Sequence, residues 1–389
     1  MNKLNQYIKE KIAPQFEKGG KHERLWSFFD AFHSFLFVPS TTAPRRGVQV
    51  HDSVDSKRVI TMVLIALMPA LLFGLWNEGY QHFRAIGDTE AGLWSCFLFG
   101  LLVFLPKVIV SYVVGLGIEF CIAAYKREEV AEGFLATGML IPMVLPAETP
   151  LWMIALATAF SVVFAKEIFG GTGMNIFNPA LVARAFLFFA YPTAMSGSDV
   201  FVRTEGFFGW AEGTPVDGWS GATPLAAVAE GKFDAASFDT LSAFLGTVPG
   251  SLAETSTLAI LIGAVILLAT GVASYRIMLG VFAGGAAMAA IVAACSEGAP
   301  SVAQQLCLGG FAFAAVFMAT DPVSGCRTDV GKWIYGLFIG VMAIVIRMFN
   351  TGYPEGAMLA VLLGNAVAPL IDYCVIQSNV NARAKRLKA

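Results

Sequence analysis

The sequence predicts an all-α polytopic membrane protein with about ten transmembrane helices arranged as two inverted five-helix repeats. The first observation is composition. Hydrophobic residues make up 56% of the 389 residues and charged residues only 14%, whereas a soluble chain carries roughly a quarter charged residues. The second is that the apolar residues form runs long enough to cross about 30 Å of hydrocarbon. The third is a pattern of helix-breaking residues that recurs in the second half of the chain.

Residues 1–56 are predicted to form a polar, cytoplasmic N-terminal segment. Between Trp26 and Phe37 this segment interleaves aromatic side chains with Asp30 and His33. Such an amphipathic stretch is typical of a helix that lies in the membrane interface. We therefore predict an interfacial helix ahead of the first membrane span.

Residues 57–195 are predicted to form the first five-helix membrane repeat. Its second apolar run is too long for one upright helix and too short for two helices with a loop. Because Pro106 lies inside this run, we predict one tilted or kinked helix. The five predicted spans are 58–77, 92–124, 131–146, 151–169 and 180–195.

A polar, glycine-rich loop is predicted at 196–254. The second five-helix membrane repeat follows at 255–376, and a basic cytoplasmic tail occupies 377–389. The five spans predicted in the second repeat are 255–273, 277–295, 303–319, 332–349 and 356–376.

The distribution of basic residues predicts the orientation of the chain in the membrane. The first 58 residues contain ten basic residues, whereas the 196–254 loop has only Arg203 and Lys232 against eight acidic residues. Basic residues favour the cytoplasmic side of short membrane loops. Both termini are therefore predicted to be cytoplasmic and the loop to face outward.

Residues that break or begin the predicted spans recur between the two halves at an offset of about 175–181 residues. The matched pairs are Gly133 with Gly310, Trp152 with Trp333, and Asn178-Pro179 with Tyr353-Pro354. A unit of five spans must enter the membrane from opposite sides in its two copies, which makes the repeat inverted. Transporters use this architecture and bind substrates where broken helices meet near the midplane. The alternative is that glycine and proline only terminate helices here.

The outward loop contains the run Asp217-Gly218-Trp219-Ser220-Gly221-Ala222-Thr223-Pro224-Leu225. One interpretation makes Thr223 the N-cap of a short helix with Pro224 at its first position. The other makes the Thr223 hydroxyl, flanked by small residues, a point of covalent modification. A phosphate attached there would lie against helix N–H groups and the positive end of the helix dipole.

This run resembles the Asp-Gly-x-Ser-Gly-Ala-Thr motif of membrane subunits in Na+-translocating NADH:quinone reductases and in the related Rnf complexes. The resemblance extends over nearly the whole chain, including 166–173, 175–186, 317–324 and 353–356. The long segment before the first span is more similar to the B subunit of the quinone reductase than to the D subunit of Rnf. The resemblance implies that a flavin transferase links FMN to Thr223, with Asp217, Gly218, Ser220, Gly221 and Ala222 completing the motif.

The same resemblance implies the cofactors and partners. They are covalent FMN, a non-covalent riboflavin, ubiquinone, Na+, the lipid bilayer and other subunits that carry flavin and iron–sulfur centres; no nucleic acid is implied. Electrons would pass from FMN to riboflavin and then to quinone, coupled to Na+ export. The location implied is the bacterial inner membrane, with the 196–254 loop periplasmic.

The riboflavin candidates lie in and after the least helical stretch of the first half. Gly173, Asn175 and Asn178 lie in a run of glycines and asparagines before Pro179, and non-helical backbone at membrane depth must be buried or line a cavity. A tight turn between spans is the alternative. Arg184 is costly in lipid and should face the bundle or a flavin.

The quinone candidates are Gly115 and Glu119, because the resembled family uses a Gly-Gly pair followed by a glutamate in this region. This chain has Gly115-Leu116 instead, which puts inhibitor contacts in doubt, and the glycine could equally serve close helix packing. The candidates for the ion path are Glu148, Asp321 and Glu355. No metal site is predicted, because the cysteines and histidines are scattered.

Two other functions remain open at this point. The D subunit of an Rnf-type ferredoxin:NAD complex would share the motif and the fold. A channel or transporter without a redox role would share the inverted repeat and the broken helices. That last alternative does not explain the complete motif around Thr223.

Overall fold

The structure is a computed structural model in which all regular secondary structure of the described residues is helical. The described residues are 2–16, 20–37, 56–88, 90–128, 130, 132–196, 200–207, 210–217, 219–235, 237–296, 298–350, 352 and 355–388. Within them, β pairing is limited to an isolated bridge between Phe207 and Trp210. Gly218, Tyr353 and Pro354, which the sequence patterns use, lie outside the described residues.

The N-terminal segment consists of short helices. They are α1 (Asn2–Tyr7), a π-helical turn (Ile8–Ile12), α2 (Ala13–Phe16), a 3-10 turn (Glu23–Leu25) and α3 (Trp26–Leu36). The helix predicted between Trp26 and Phe37 is therefore α3. Its Phe28 and Phe32 rings contact Phe120, with centroids 4.8 Å and 6.1 Å apart. An aromatic cluster thus joins the N-terminal segment to the membrane helices.

The first half contains two long helices followed by shorter ones. They are α4 (Ser56–Ala85), α5 (Leu93–Lys126), α6 (Phe134–Met143), α7 (Leu151–Ser161), α8 (Pro179–Ala190) and α9 (Pro192–Met195). A π-helical turn (Val162–Lys166) and a 3-10 turn (Glu167–Phe169) extend α7. The single helix predicted around Pro106 is confirmed as α5, whose 34 residues give a length of about 50 Å. Such a length exceeds the hydrocarbon thickness, in line with tilt.

The 196–254 loop contains two short helices, and the second half contains both long and short helices. The loop helices are α10 (Pro224–Ala229) and α11 (Thr240–Leu245). The helices after the loop are α12 (Thr257–Ala269), α13 (Tyr275–Cys295), α14 (Val302–Cys307), α15 (Phe311–Phe313), α16 (Asp329–Phe349) and α17 (Gly356–Lys388). A π-helical turn (Ala314–Met318) extends α15.

Six helices of the described chain are long and apolar enough to cross a membrane. They are Lys57–Ala85, Leu93–Lys126, Leu151–Phe169, Tyr275–Cys295, Asp329–Phe349 and Gly356–Arg386. Three apolar helices are shorter, namely Phe134–Met143, Pro179–Ala190 and Thr257–Ala269. The chain is therefore an all-α protein with several candidate membrane spans, as predicted.

Several predicted spans are shorter in the structure than in the sequence pattern. The spans predicted at 180–195 and 255–273 are helical over α8 and α12, which end at Ala190 and Ala269. The span predicted at 131–146 is helical only over the ten residues of α6, about 15 Å. The span predicted at 303–319 is divided into α14 and the α15 segment at Leu308–Gly310, where Gly309 has a positive φ of 60°. Residues 377–388 of the predicted basic tail belong to α17, which extends to Lys388.

Glycines allow α13 and α16 to pack closely against each other in the second half. A Cβ atom on Gly284 would overlap the backbone of Leu337, and one on Gly280 would lie 3.1 Å from Gly336 Cα. The Gly-x-x-x-Gly faces therefore serve helix packing, as the small-residue pattern indicates. The largest buried cluster lies between the halves, where Ile141 and Met143 of α6 and Phe311 and Phe313 of α15 are at most 1% exposed.

Candidate functional site

A central cavity of about 310 Å³ lies between the two halves of the chain. Its walls come from α4, from the start of α6, from the segment before α8 and from the segment after the Ala314–Met318 turn. Most of its lining is apolar. Its polar lining residues are Thr137, Lys166, Thr172, Asn175, Asn178, Thr320 and Asp321. The cavity therefore combines a mostly apolar lining with a few polar groups, which is typical of small-molecule sites.

Two of the predicted riboflavin residues lie together in this cavity because the backbone before α8 is not helical. Gly170, Gly171 and Gly173 have positive φ angles of 114°, 93° and 89°, a conformation that glycine adopts without a steric penalty. A Cβ atom on Gly173 would meet nothing within 4 Å, so the need for glycine there is conformational. The turn carries Asn175 and Asn178 into the cavity wall.

The two asparagines differ in the capacity that they have left for a ligand. Asn178 is the N-cap of α8, and its Oδ1 accepts hydrogen bonds from the N–H groups of Ala180 at 3.0 Å and Leu181 at 3.4 Å. Asn175 Nδ2 donates to Phe177 O at 3.0 Å. The interpretation of this stretch as a tight turn is thus correct for the backbone, and it leaves one amide nitrogen of Asn178 and one amide oxygen of Asn175 as candidate contacts.

Asp321 lines the same cavity as Asn175 and Asn178. Its Oδ1 accepts a hydrogen bond from Val323 N at 3.0 Å, and its Oδ2 accepts one from Ser324 Oγ at 2.9 Å. These contacts close a turn after the Ala314–Met318 segment. One of the predicted ion-path residues, Asp321, therefore lies in the same cavity as two of the predicted riboflavin residues.

Arg184 lies outside the central cavity, although it was predicted together with Asn175 and Asn178. It is 3% exposed and pairs with both Glu254 and Glu355. Glu254 precedes α12 and Glu355 precedes α17, so the guanidinium ties α8 to two elements of the second half. The structure thus places Arg184 with Glu355, another predicted ion-path residue, rather than with the asparagines.

Glu148 lies apart from Asp321 and Glu355, in the turn between α6 and α7. Its backbone N–H donates to Val200 O at 3.0 Å, which connects this turn to the 196–254 loop. Partial desolvation raises the pKa of the Glu148 carboxyl, and the Arg203 guanidinium opposes that shift. The three predicted ion-path residues therefore occupy three separate places.

Gly115 packs against another helix instead of lining a groove. A Cβ atom at this position would overlap the Phe134 ring of α6. Glu119, one turn along α5, is 4% exposed and pairs with Lys166. The close-packing alternative for the glycine is therefore the one that the structure supports.

An apolar hollow of about 210 Å³ lies beside these residues on α5. It is lined by Ala31, Phe32, Leu116, Phe120, Val130, Glu132 and Leu135. Glu132 pairs with Lys57 at 2.8 Å. This hollow could not be predicted from the sequence. It forms only where α3 packs on α5, and the two contact regions are about 85 residues apart in the chain.

Thr223 is the N-cap of α10, and its Oγ1 accepts a hydrogen bond from Ala226 N at 3.1 Å. It is 9% exposed, whereas Asp217 and Ser220 of the same motif are exposed. A void of about 20 Å³ beneath Thr223 is lined by Glu254 and Glu355 among others. The helix-cap interpretation is therefore correct as geometry. The void also places Thr223 next to Glu254 and Glu355, the two carboxylates that pair with Arg184.

Three buried cations were not among the predicted site residues. Lys166 lines the central cavity, Lys107 donates to Pro146 O and Ala147 O at 3.2 Å and 2.6 Å, and Arg347 donates to Leu308 O at 2.9 Å. Each lies within or at the end of an apolar run. A basic residue inside an apolar run is itself a signal of a buried polar contact, and that signal could have identified all three.

Comparisons with known proteins agree on one family. A family model described as the NQR2, RnfD, RnfE family matches residues 44–381. The chain is 42% identical to the B subunit of the Na(+)-translocating NADH-quinone reductase from Chromohalobacter salexigens, over 97% of this chain and 95% of the relative. It is also 42% identical to the proteins of the same name from Azotobacter vinelandii and Pseudomonas aeruginosa, over 97% of this chain and 98% of each relative.

Proposed function

The chain belongs to the NQR2, RnfD, RnfE family, and we propose that it is the flavin-carrying membrane subunit of a Na+-translocating NADH:quinone oxidoreductase. The observation that carries the proposal is the complete motif around Thr223, in a chain that matches relatives of the B-subunit type over 97% of its length. Such a protein works within a complex that includes NADH-oxidising partners. Its location would be the bacterial inner membrane, with both termini cytoplasmic and the 196–254 loop periplasmic.

Thr223 fits an attachment point for a flavin that lies on the outer surface. Its hydroxyl already faces the first N–H groups of α10, where a phosphate ester is stabilised by hydrogen bonding and by the helix dipole. The void beneath it, about 20 Å³, is far too small for an isoalloxazine ring. The exposed Asp217 and Ser220 leave the motif accessible to a flavin transferase. FMN bound here would supply a carrier able to exchange electrons singly or in pairs.

The central cavity fits riboflavin. Its volume of about 310 Å³ lies at the lower end of the range for small-molecule sites, roughly 300–1,000 Å³. The free amide groups of Asn175 and Asn178 suit the polar edge of a flavin ring, and Gly173 allows the turn that presents them. Arg184 acts on this site only through α8, because its guanidinium is paired elsewhere.

The apolar hollow between α3 and α5 fits the quinone. Phe32 and Phe120 offer flat faces to a quinone headgroup, and Leu116 and Leu135 offer an apolar wall. Glu119 lies on the same helix as Leu116 and Phe120, but its carboxylate faces Lys166. The quinone would therefore contact the face of α5 that carries Phe120 instead of Gly115.

The packing of the described helices supports two inverted five-helix repeats. The first helices of the two halves, α4 and α12, contact each other, and so do the last, α8 and α17. A pseudo-two-fold axis produces this pairing of first with first and last with last, and an odd number of spans in each half places that axis in the membrane plane. The short α6 and the α15 segment are then the matched broken spans, and Na+ would pass near Asp321 at the end of one of them.

Flavin fluorescence of the denatured chain tests this proposal. Co-expression with a flavin transferase should give a fluorescent band after denaturing electrophoresis, and Thr223→Leu should abolish it. Thr214→Leu is the matched control, because Thr214 is also followed by proline and is exposed in the same loop. A dark wild-type band, or a band that survives in Thr223→Leu, would refute the covalent assignment.

The family also contains subunits of Rnf complexes, which makes an Rnf role the second candidate. The two differ in reaction, because one reduces quinone and the other exchanges electrons between ferredoxin and NAD. The purified complex should reduce ubiquinone with NADH if the first assignment is right. A non-redox channel would show neither reaction and no flavin.

A further inference from the structure

Glu119 of α5 and Lys166 at the end of the Val162–Lys166 turn form an ion pair in which each side chain is 4% exposed. Lys166 Nζ also lies 5.8 Å from the centroid of the Phe134 ring. A buried ion pair loses hydration that the attraction between its charges seldom recovers, and two apolar side chains of similar size often pack as stably. Stability alone is therefore a weak explanation for the pair.

The pair lies between two cavities. Lys166 lines the central cavity. Glu119 lines a second cavity of about 130 Å³, here called the vestibule, whose charged lining residues are Glu119, Lys126, Glu128 and Glu167. Thr172 lines both cavities. The two spaces thus share a wall, and the ion pair crosses that wall.

The charges differ on the two sides of this wall. The vestibule has three carboxylates and one ammonium group, and Lys126 pairs with Glu167 at 3.6 Å. It lies at the end of α5 that precedes Arg127, the side that the basic residues assign to the cytoplasm. In the central cavity the ionisable lining residues are Lys166 and Asp321. A proton that enters from the vestibule meets Glu119 first and Lys166 second.

We propose that Glu119 and Lys166 relay protons from the vestibule to the central cavity, and that the Lys166 ammonium group keeps Na+ out of this passage. The relay rests on the proposed redox function, because electrons delivered to a group in the cavity must be balanced by cations. A proton can pass from one heteroatom to the next, whereas Na+ would have to displace a like charge in a region of low dielectric constant.

The relay balances in protons and moves no electrons itself. Lys166 donates one proton from its ammonium group to the reduced group in the cavity and becomes a neutral amine. Glu119 takes one proton from vestibule water and passes it to that amine. This restores the ammonium–carboxylate pair, so one proton enters the vestibule for each proton delivered.

The intact complex, purified and reconstituted in vesicles, allows a direct test with a pH-sensitive dye after rapid mixing with NADH. The double variant Glu119→Leu/Lys166→Met removes both charges while keeping apolar bulk, so it should assemble and retain its riboflavin. Its proton uptake should be at least tenfold slower than in the wild type. The control is Lys332→Met, whose ammonium pairs with Asp329 at 4.0 Å near the start of α16, and its uptake should not change.

Two further measurements separate proton transfer from a structural role. Methylammonium added to the Lys166→Ala complex should restore uptake, and the rate should follow the acidity of the added amine. If the double variant does not assemble, Glu119→Gln carries the same prediction, because an amide cannot be reloaded with a proton.

Normal proton uptake in a variant that retains riboflavin would overturn the relay. Loss of riboflavin from the double variant would also overturn it, because the pair would then be a binding element. A wild-type complex with neither extractable riboflavin nor proton uptake would refute the proposed function of the cavity, and the relay with it.

Discussion

Phe120→Ala should loosen α3 and impair quinone binding together. The Phe120 ring is the contact point of α3 on α5, with centroids 4.8 Å from Phe28 and 6.1 Å from Phe32. It also forms one wall of the apolar hollow that we assign to the quinone. Truncation to alanine removes both ring contacts and opens that wall.

The magnitude follows from the two ring pairs. An aromatic pair contributes roughly 0.5–1.5 kcal/mol beyond the area that it buries. Two pairs therefore contribute about 2 kcal/mol, which corresponds to a factor of roughly 30 in an equilibrium constant. The equilibrium between docked and detached α3 should shift by this factor.

Hydrogen exchange and quinone kinetics measure the two consequences. The protection factors of amides in α3 should fall by roughly 30-fold, because exchange of a docked helix proceeds through its detached state. The KM for ubiquinone should rise several-fold, while the kcat of NADH oxidation with an artificial acceptor should not change. The control is Phe349→Ala, which truncates a phenylalanine that is 74% exposed at the end of α16.

Each of the two measurements can contradict a different part of this prediction. Unchanged protection of α3 would show that the ring cluster does not hold the N-terminal segment. Weakened protection with an unchanged KM would show that the hollow is not the quinone site. Equal effects in Phe349→Ala would mean that loss of any exposed ring disturbs the protein.

Three other variants test individual contacts. Asn178→Ala removes the N-cap of α8, which should cost about 1 kcal/mol, seen as a lower Tm of the purified complex together with a lower riboflavin content. Arg184→Met leaves the buried Glu254 and the half-buried Glu355 without their cation, which should cost about 3–5 kcal/mol and reduce assembly on native gels. Adding Glu254→Gln to Arg184→Met should restore part of that assembly. Gly284→Val should force α13 and α16 apart and lower the Tm. Gly117→Val, at an exposed helical position of α5 with no neighbour within 4 Å, should lower it less.

The helical class, the long α5 and the N-cap positions of α8 and α10 could be predicted from the sequence because local patterns determine them. Asn178-Pro179 and Thr223-Pro224 both place a capping side chain before a proline, and both begin helices in the structure. The lengths of the broken helices were harder, since an apolar run does not show where the backbone leaves the helix. Gly309, with its positive φ, ends α14 inside an apolar run.

The partners of the buried charges could not be predicted, because they come from distant parts of the chain. Arg184 forms ion pairs with Glu254 and Glu355, which follow it in the chain by 70 residues or more. Glu119 meets Lys166 across 47 residues. Local sequence shows that a charge in an apolar run needs a partner, but only the fold decides which partner it has.

The first two turns of α8 connect the two proposed flavin sites. Asn178 caps this helix at the central cavity, and Arg184 lies six residues further along, about 9 Å in rise. At that level Arg184 pairs with Glu254 and Glu355, which line the void beneath Thr223. A displacement of α8 along its axis would therefore change the asparagine contacts of the cavity and the ion pairs below Thr223 together.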